Sequence, residues 1–141
     1  MEEVRDRNNV SYVVDPPLSS PELNGLFAAA WDGHRPVDFD PILGHSLIYV
    51  CEYDERRLVG FVNVAWDGGV HGFVLDTTVH PEARRRGIGR GLVTRAVAEA
   101  RDRNLQWLHV DFEPYLQEFY EGCGFRSTSA GLLWLDASDD E

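Results

Sequence analysis

Near residue 80 the hydrophobic period of this chain changes abruptly. Upstream, three β-rich runs follow one another with only turns between them. Residues 46–53 stop at Asp54-Glu55-Arg56-Arg57, residues 58–66 at Asp67-Gly68-Gly69, and residues 70–79 at Pro81. Turn clusters between alternating apolar runs are hairpin signals, so this stretch predicts an antiparallel meander. Downstream, Ile88, Leu92, Ala96 and Ala100 recur every four residues with Val93 and Val97 beside them. That is the stripe of an amphipathic helix, ending near Asn104. A meander that feeds such a helix predicts a layered domain of the mixed α/β or α+β class.

The flanks extend this pattern. Residues 10–14 predict a short strand that stops at Pro16-Pro17. Ser19-Ser20-Pro21-Glu22 is a helix-start signal, and the helix runs through Leu23, Leu26, Phe27 and Ala30 to end near Trp31-Asp32-Gly33. Residues 34–44 read as a loop with one helical turn about residues 41–43. After the long helix come a strand at 106–112, a short helix at 115–122 closed by Gly122-x-Gly124, and a last strand at 125–135. The length suits one domain, 1–141, with an ordered core at about 10–135. Residues 1–9 and 137–141 are polar and are expected to be loose.

Composition narrows the function. Acidic residues number 24 against 13 basic ones, giving a net charge of −11, and every basic residue is arginine. Without lysine there is no Schiff-base chemistry and no phosphate-loop lysine. The acidic surplus argues against a nucleic acid partner, because phosphate backbones attract basic faces. No apolar run reaches a membrane span, and the N-terminus lacks signal-peptide character, so a cytoplasmic protein with two reduced thiols, Cys51 and Cys123, is expected. The five histidines and two cysteines show no metal-ligand spacing, so no metal is expected. No GxSxG pattern points to a hydrolase.

Against the acidic background, residues 84–90 read Arg-Arg-Arg-Gly-Ile-Gly-Arg. This island lies where a strand passes through a short loop into the N-terminus of the amphipathic helix. The first N–H groups of a helix lack internal partners and carry partial positive charge. Glycines at 87, 89 and 91 would let a diphosphate approach that backbone, and arginines would add bidentate contacts to its oxygens. A Rossmann GxGxxG needs a small residue where Leu92 stands, and a phosphate loop needs Gly-Lys. A solvated arginine cluster beside a glycine turn is the plain alternative. The combination of strand, proline, arginines, glycines and helix favours a ligand.

Those residues resemble the GNAT superfamily of N-acetyltransferases. The family's acetyl-CoA motif, Gln/Arg-x-x-Gly-x-Gly/Ala, is matched by Arg84-Arg85-Arg86-Gly87-Ile88-Gly89 after Val79-His80-Pro81. Its late Phe-Tyr-x-x-x-Gly-Phe is matched by Phe119-Tyr120-Glu121-Gly122-Cys123-Gly124-Phe125. The resemblance implies a mixed, mostly antiparallel sheet with helices on both faces and a V-shaped splay between strands ending near Val79 and Phe112. Acetyl-CoA would lie in that splay as co-substrate. Its pyrophosphate would meet residues Arg84, Arg85, Arg86, Gly87, Ile88, Gly89, Arg90, Gly91 and Leu92, and its pantetheine the strand edge at Thr77, Thr78 and Val79. A homodimer is also in keeping with the family, although no residue specifies an interface.

Acetyl transfer to an amine requires a base for the ammonium, donors for the carbonyl oxygen and an acid for the departing thiolate. The resemblance assigns the second task to backbone N–H near Val79 and the third to Tyr120, which would also touch the cofactor. Spacing alone favours a core aromatic at 120. Strict alternation puts His109, Asp111 and Glu113 on one face, and Asp111 or Glu113 is the preferred base, acting through water. Either could instead be a solvent-facing acid that attracts a cation, and His109 fits a hydrogen-bonded structural role. Asp76 lies on the opposite face unless a bulge re-aims it. For the acceptor, Trp31, Asp38, Trp66 and Asp111 are the candidate contacts. The expected activity is acetylation of a small cationic amine in a ternary complex; the alternative is a non-catalytic CoA-binding sensor of the same fold. Acetylation of charged tRNA is disfavoured by the acidic surface.

Overall fold

A computed structural model describes residues 3–5 and 10–136. The chain divides into two compact units, residues 1–110 and 111–141. The first is a six-stranded sheet with strands in sequence order: β1 (Glu3–Arg5), β2 (Val10–Val14), β3 (Ser46–Asp54), β4 (Arg57–Trp66), β5 (His71–Val79) and β6 (Trp107–His109). Every neighbouring pair is antiparallel except β5 and β6, which are parallel and joined through the helix α3 (Ile88–Asp102). A parallel pair needs such a crossover.

Cys51 pairs with Phe61, and Glu52 with Gly60, so the two rows lie on opposite faces. On the Phe61 face, Leu23, Leu26 and Phe27 of α1 (Ser20–Ala30) form a core cluster with Phe39, Cys51, Leu58 and Phe61. The Phe27 ring stands edge-on to Phe39 and Phe61 at centroid distances of 5.2 and 6.0 Å. On the Gly60 face lies α3, with Ile88, Leu92, Val93, Ala96 and Ala100 buried. Within the expected start signal, Ser19 is the residue that caps α1, its Oγ accepting the Glu22 N–H at 3.2 Å. The one-turn helix expected in the next loop is α2 (Asp40–Gly44).

Register irregularities break the strict alternation at Ser46/Ile48, at Glu52/Tyr53 and at Phe61/Asn63. Between Glu52 and Tyr53, β4 carries one extra residue, Val59, which brings Leu58 onto the Phe61 face. In β5, Phe61 pairs with Thr78 but Asn63 with Leu75, so Asp76 and Thr77 together oppose Val62 alone. Asp76 takes a left-handed backbone with φ +59° there.

The ladder between β5 and β6 holds only three pairs, His71 with Trp107, Gly72 with Leu108 and Phe73 with His109. Beyond them β5 runs on to Val79 with no further pairing to β6.

Three expectations need correction. The segment 1–9 is not uniformly loose, because Glu3–Arg5 pairs with Ser11–Val13 of β2. An edge ladder is built from backbone groups and requires no apolar residues. The strand expected at 106–112 is confined to Trp107–His109; residues 110–113 carry no strand, and Pro114 after them cannot donate to a ladder. The last strand expected at 125–135 is absent: Leu132, Leu133 and Leu135 are more than 80% exposed. β propensity describes fit to a partner surface, and that stretch has no strand partner among the described residues. The tail 137–141 lies outside the described residues.

The second unit contains a 3-10 turn at Pro114–Leu116 and helix α4 (Gln117–Gly122). Gly124, at φ +101°, closes α4, and the Phe125 N–H reaches back to the Tyr120 carbonyl at 3.1 Å. Among the described residues no helix is long and apolar enough to cross a membrane.

Phe61 is 1% exposed at the centre of its cluster. Phe61→Ala is expected to cost about 3–5 kcal/mol in chemical denaturation. A loss below about 1 kcal/mol would mean that the cluster does not carry the sheet.

Candidate active site

The loop between β5 and α3 is built from backbone constraints. The His80 N–H donates to the Val59 carbonyl at 2.7 Å, fixing the end of β5 on β4. A 3-10 turn at Pro81–Ala83 follows, in which the His80 Nδ1 accepts the Glu82 N–H at 3.1 Å. Ala83 is buried, and the chain emerges through Arg84 to two left-handed residues, Arg85 at φ +66° and Gly87 at φ +75°. Gly87 is the N-cap of α3, and no side chain caps that end. The first turn of α3 also contains no acid, so nothing in it opposes an arriving anion.

The residues expected to hold a pyrophosphate divide by position. Arg84, Arg85, Gly87 and Arg90 are exposed at the helix entrance, and Gly89 is half-buried there. A Cβ on Gly87 would meet nothing within 4 Å, so the approach to the backbone is open. Ile88 and Leu92 belong to the core, at 2% and 0% exposure. Arg86 turns toward β3 and pairs with Asp54, Nη1 to Oδ2 at 3.1 Å. At Gly91, a Cβ would lie 1.8 Å from the Tyr12 hydroxyl.

At the end of β5, Thr77 and Val79 are half-buried. Thr78 is buried; its Oγ1 accepts the Trp31 indole N–H at 3.2 Å and donates to the Asp76 carbonyl at 2.9 Å. The bulge thus places Thr78, rather than Thr77, on the face of Leu75. Asp76 keeps access to solvent, yet desolvation by the surrounding protein raises its carboxyl above the usual carboxylate range.

The acceptor candidates are spread out. Trp31 reaches Thr78, whereas Trp66 pairs with Gly72, six residues away along β5 and so about 20 Å distant. Asp38 is engaged in its own loop, accepting from the Asp40 N–H at 3.1 Å and the Ser20 hydroxyl at 3.4 Å. At the last rung of the β5–β6 ladder, His109 stacks on Phe73 and shares a 2.8 Å hydrogen bond with His71, the structural role anticipated for it.

In the second unit Tyr120 is 6% exposed, stacked on Phe112 at 4.9 Å and edge-on to Phe119 and Phe125. Asp111 and Glu113 are exposed and outside any strand, so the alternation that set them on one face with His109 does not operate. Among the described residues no three His, Cys, Asp or Glu side chains converge as metal ligands.

A family model described as the acetyltransferase (GNAT) family matches residues 15–125. A mycothiol acetyltransferase from Mycolicibacterium smegmatis is 39% identical over 93 residues, covering 62% of this chain and 32% of that protein. This chain therefore spans about a third of that relative. A GNAT family acetyltransferase from Streptococcus pneumoniae superposes with a TM-score of 0.76 at 23% identity, over 91% of this chain and 98% of that one. An aminoglycoside N-acetyltransferase solved in complex with CoA superposes with a TM-score of 0.71 at 17% identity, over 91% and 95%. At these identities the two structures establish likeness of fold.

Gly87 needs its glycine for φ rather than for space. Gly87→Asn is therefore expected to melt close to the parent, and Gly87→Val to lose about 1–2 kcal/mol. Equal melting of the two variants would place the constraint elsewhere.

Proposed function

The chain belongs to the acetyltransferase (GNAT) family, and we propose that it transfers the acetyl group of acetyl-CoA to the amine of a small acceptor. The observation that carries this reading is the uncapped entrance of α3. There Gly87, Gly89 and the exposed Arg84, Arg85 and Arg90 form a cationic cradle on a protein of net charge −11. Such an end binds phosphate through N–H groups and helix dipole together, with arginines adding charge-assisted bonds.

Acetyl-CoA supplies the thioester. The chain's part is to orient it, stabilise the oxyanion and move two protons. The edge of β5 from Thr77 to Val79, beyond the last rung shared with β6, suits an extended pantetheine arm, with backbone N–H near Val79 aimed at the carbonyl oxygen. Tyr120 gives its phenolic proton to the departing thiolate. The transfer is feasible because a thiol of pKa about 8.5 and a phenol of about 10 are close.

For the base, we favour Asp76 over Asp111 and Glu113. Asp76 stands at the bulge of the strand that would hold the cofactor, and its raised carboxyl pKa brings it closer to a general base than an ordinary surface acid. That shift has a cost in stability. A carboxyl whose pKa is raised by folding opposes the folded state once pH exceeds its unfolded value near 4. The acidic surface favours a cationic acceptor. The names of the relatives, mycothiol and aminoglycoside acetyltransferases, support a small polar molecule as its carrier.

Thiol release with acetyl-CoA across a panel of polyamines, amino sugars and amino acids tests this reading. The parent is expected to turn over at least one of them. Its rate should rise with pH through the raised pKa of Asp76, a limb that Asp76→Asn removes without loss of stability at pH 7. Tyr120→Phe is expected to slow turnover about 10- to 100-fold with CoA affinity unchanged. Tight CoA binding with no thiol release on any amine would favour the non-catalytic CoA sensor instead.

A further inference from the structure

On the α3 face of the sheet, Tyr12 of β2 lies directly opposite Glu52 of β3, and Glu52 opposite Gly60 of β4. The three form one cross-strand row. At one end, a Cβ on Gly60 would stand 3.0 Å from both Ile88 Cγ2 and Leu92 Cδ1, so the first turn of α3 already fills the space above that glycine. At the other end, Tyr12 meets the same turn. A Cβ on Gly91 would lie 1.8 Å from its Oη and 2.5 Å from its Cζ, well inside any tolerable contact.

The Tyr12 ring is itself held in place. The Arg95 guanidinium, one helical turn beyond Gly91, lies 3.9 Å from the ring centroid. The Arg95 Nε is buried and has no hydrogen-bond partner among the described residues, where the Tyr12 ring face lies against the guanidinium. Tyr12 is 5% exposed and Glu52 fully buried, so the row is enclosed. A rigid phenol therefore touches α3 at a residue whose own N–H closes the first turn onto the Gly87 carbonyl at 3.0 Å.

We propose that Tyr12 is a positioning residue for the phosphate cradle, and that residue 91 is glycine to admit the Tyr12 hydroxyl rather than a ligand. The inference rests on the acetyl-CoA reading above. The phenol sets the height and tilt of the first turn of α3 against the sheet, and through them the aim of the N–H groups at 88–90. Tyr12 lies beneath the helix and acts on the ligand only through this backbone.

The test measures CoA affinity by calorimetry, and amide exchange in the ligand-free proteins, for the parent, Gly91→Ala, Tyr12→Leu and the double variant. Gly91→Ala is expected to weaken CoA about tenfold or more, since misplacement by about 1 Å carries effects of that order. Its amides at 88–91 should exchange faster while those at 96–100 keep parental rates. Tyr12→Leu removes the obstructing hydroxyl, so the double variant should lose less affinity than the two single losses combined. Additive losses, or parental affinity in Gly91→Ala, would overturn the inference. Tyr12→Phe, which keeps the ring under Arg95, covers the case in which Gly91→Ala fails to fold. It should shift CoA affinity several-fold at an unchanged melting temperature, and parental affinity would again overturn the inference. Failure of the parent itself to bind CoA would remove the acetyl-CoA reading and this inference with it, whereas normal parental binding with unaffected variants removes only the inference.

Discussion

The first turn of α3 can hold its N–H groups at the end of β5 because Ile88 and Leu92 sink into the space above Gly60. That turn carries local costs. It has no side-chain cap, worth about 1 kcal/mol, and the chain enters it through a left-handed Arg85, at about 1–2 kcal/mol. Burial of Ile88, Leu92 and Val93, each contributing roughly 1.5–3 kcal/mol, outweighs both. The packing of the helix against the sheet thus permits a helix end that local propensity would disfavour. Such an end, left uncapped, is what an anion needs.

Electrostatics then orients more than it stabilises. The Arg57–Glu82 and Arg86–Asp54 pairs, at 3.0 and 3.1 Å, tie the loop to the β3–β4 turn, but their side chains are substantially exposed. Pairs of that kind contribute about 0–1 kcal/mol. Their effect is to fix the course of the loop while leaving Arg84, Arg85 and Arg90 outward. In a protein with so large an acidic surplus, the local reversal of sign concentrates attraction for an anion at one end of one helix.

Local signals in the sequence gave good guidance wherever a short segment determines its own conformation. Ser19 at the start of α1, the Asp67-Gly68-Gly69 turn and the four-residue spacing in α3 each reflect backbone or packing rules that act within a few residues. The errors arose where pairing decides. Alternation along β5 fails at Asp76 because an extra residue enters the ladder, and this moves Thr78 rather than Thr77 to the face of Leu75. The strand expected over 106–112, Asp111 included, depends on pairing with β5, and that ladder ends at Phe73. The apolar run near Trp134 has strand composition but forms no strand with any of the described residues. At Gly91, inside the motif, a Cβ would lie 1.8 Å from the Tyr12 hydroxyl, a contact that no local signal in the sequence announces.

The central claim is that the entrance of α3 receives the diphosphate of CoA. Titration of the isotope-labelled protein with CoA, followed through backbone amide resonances, tests it directly. The account predicts that the largest shifts fall on Gly87, Ile88, Gly89 and Arg90, with smaller ones along Thr77 to Val79. Saturable binding that leaves residues 84–91 unmoved and shifts amides elsewhere would contradict it.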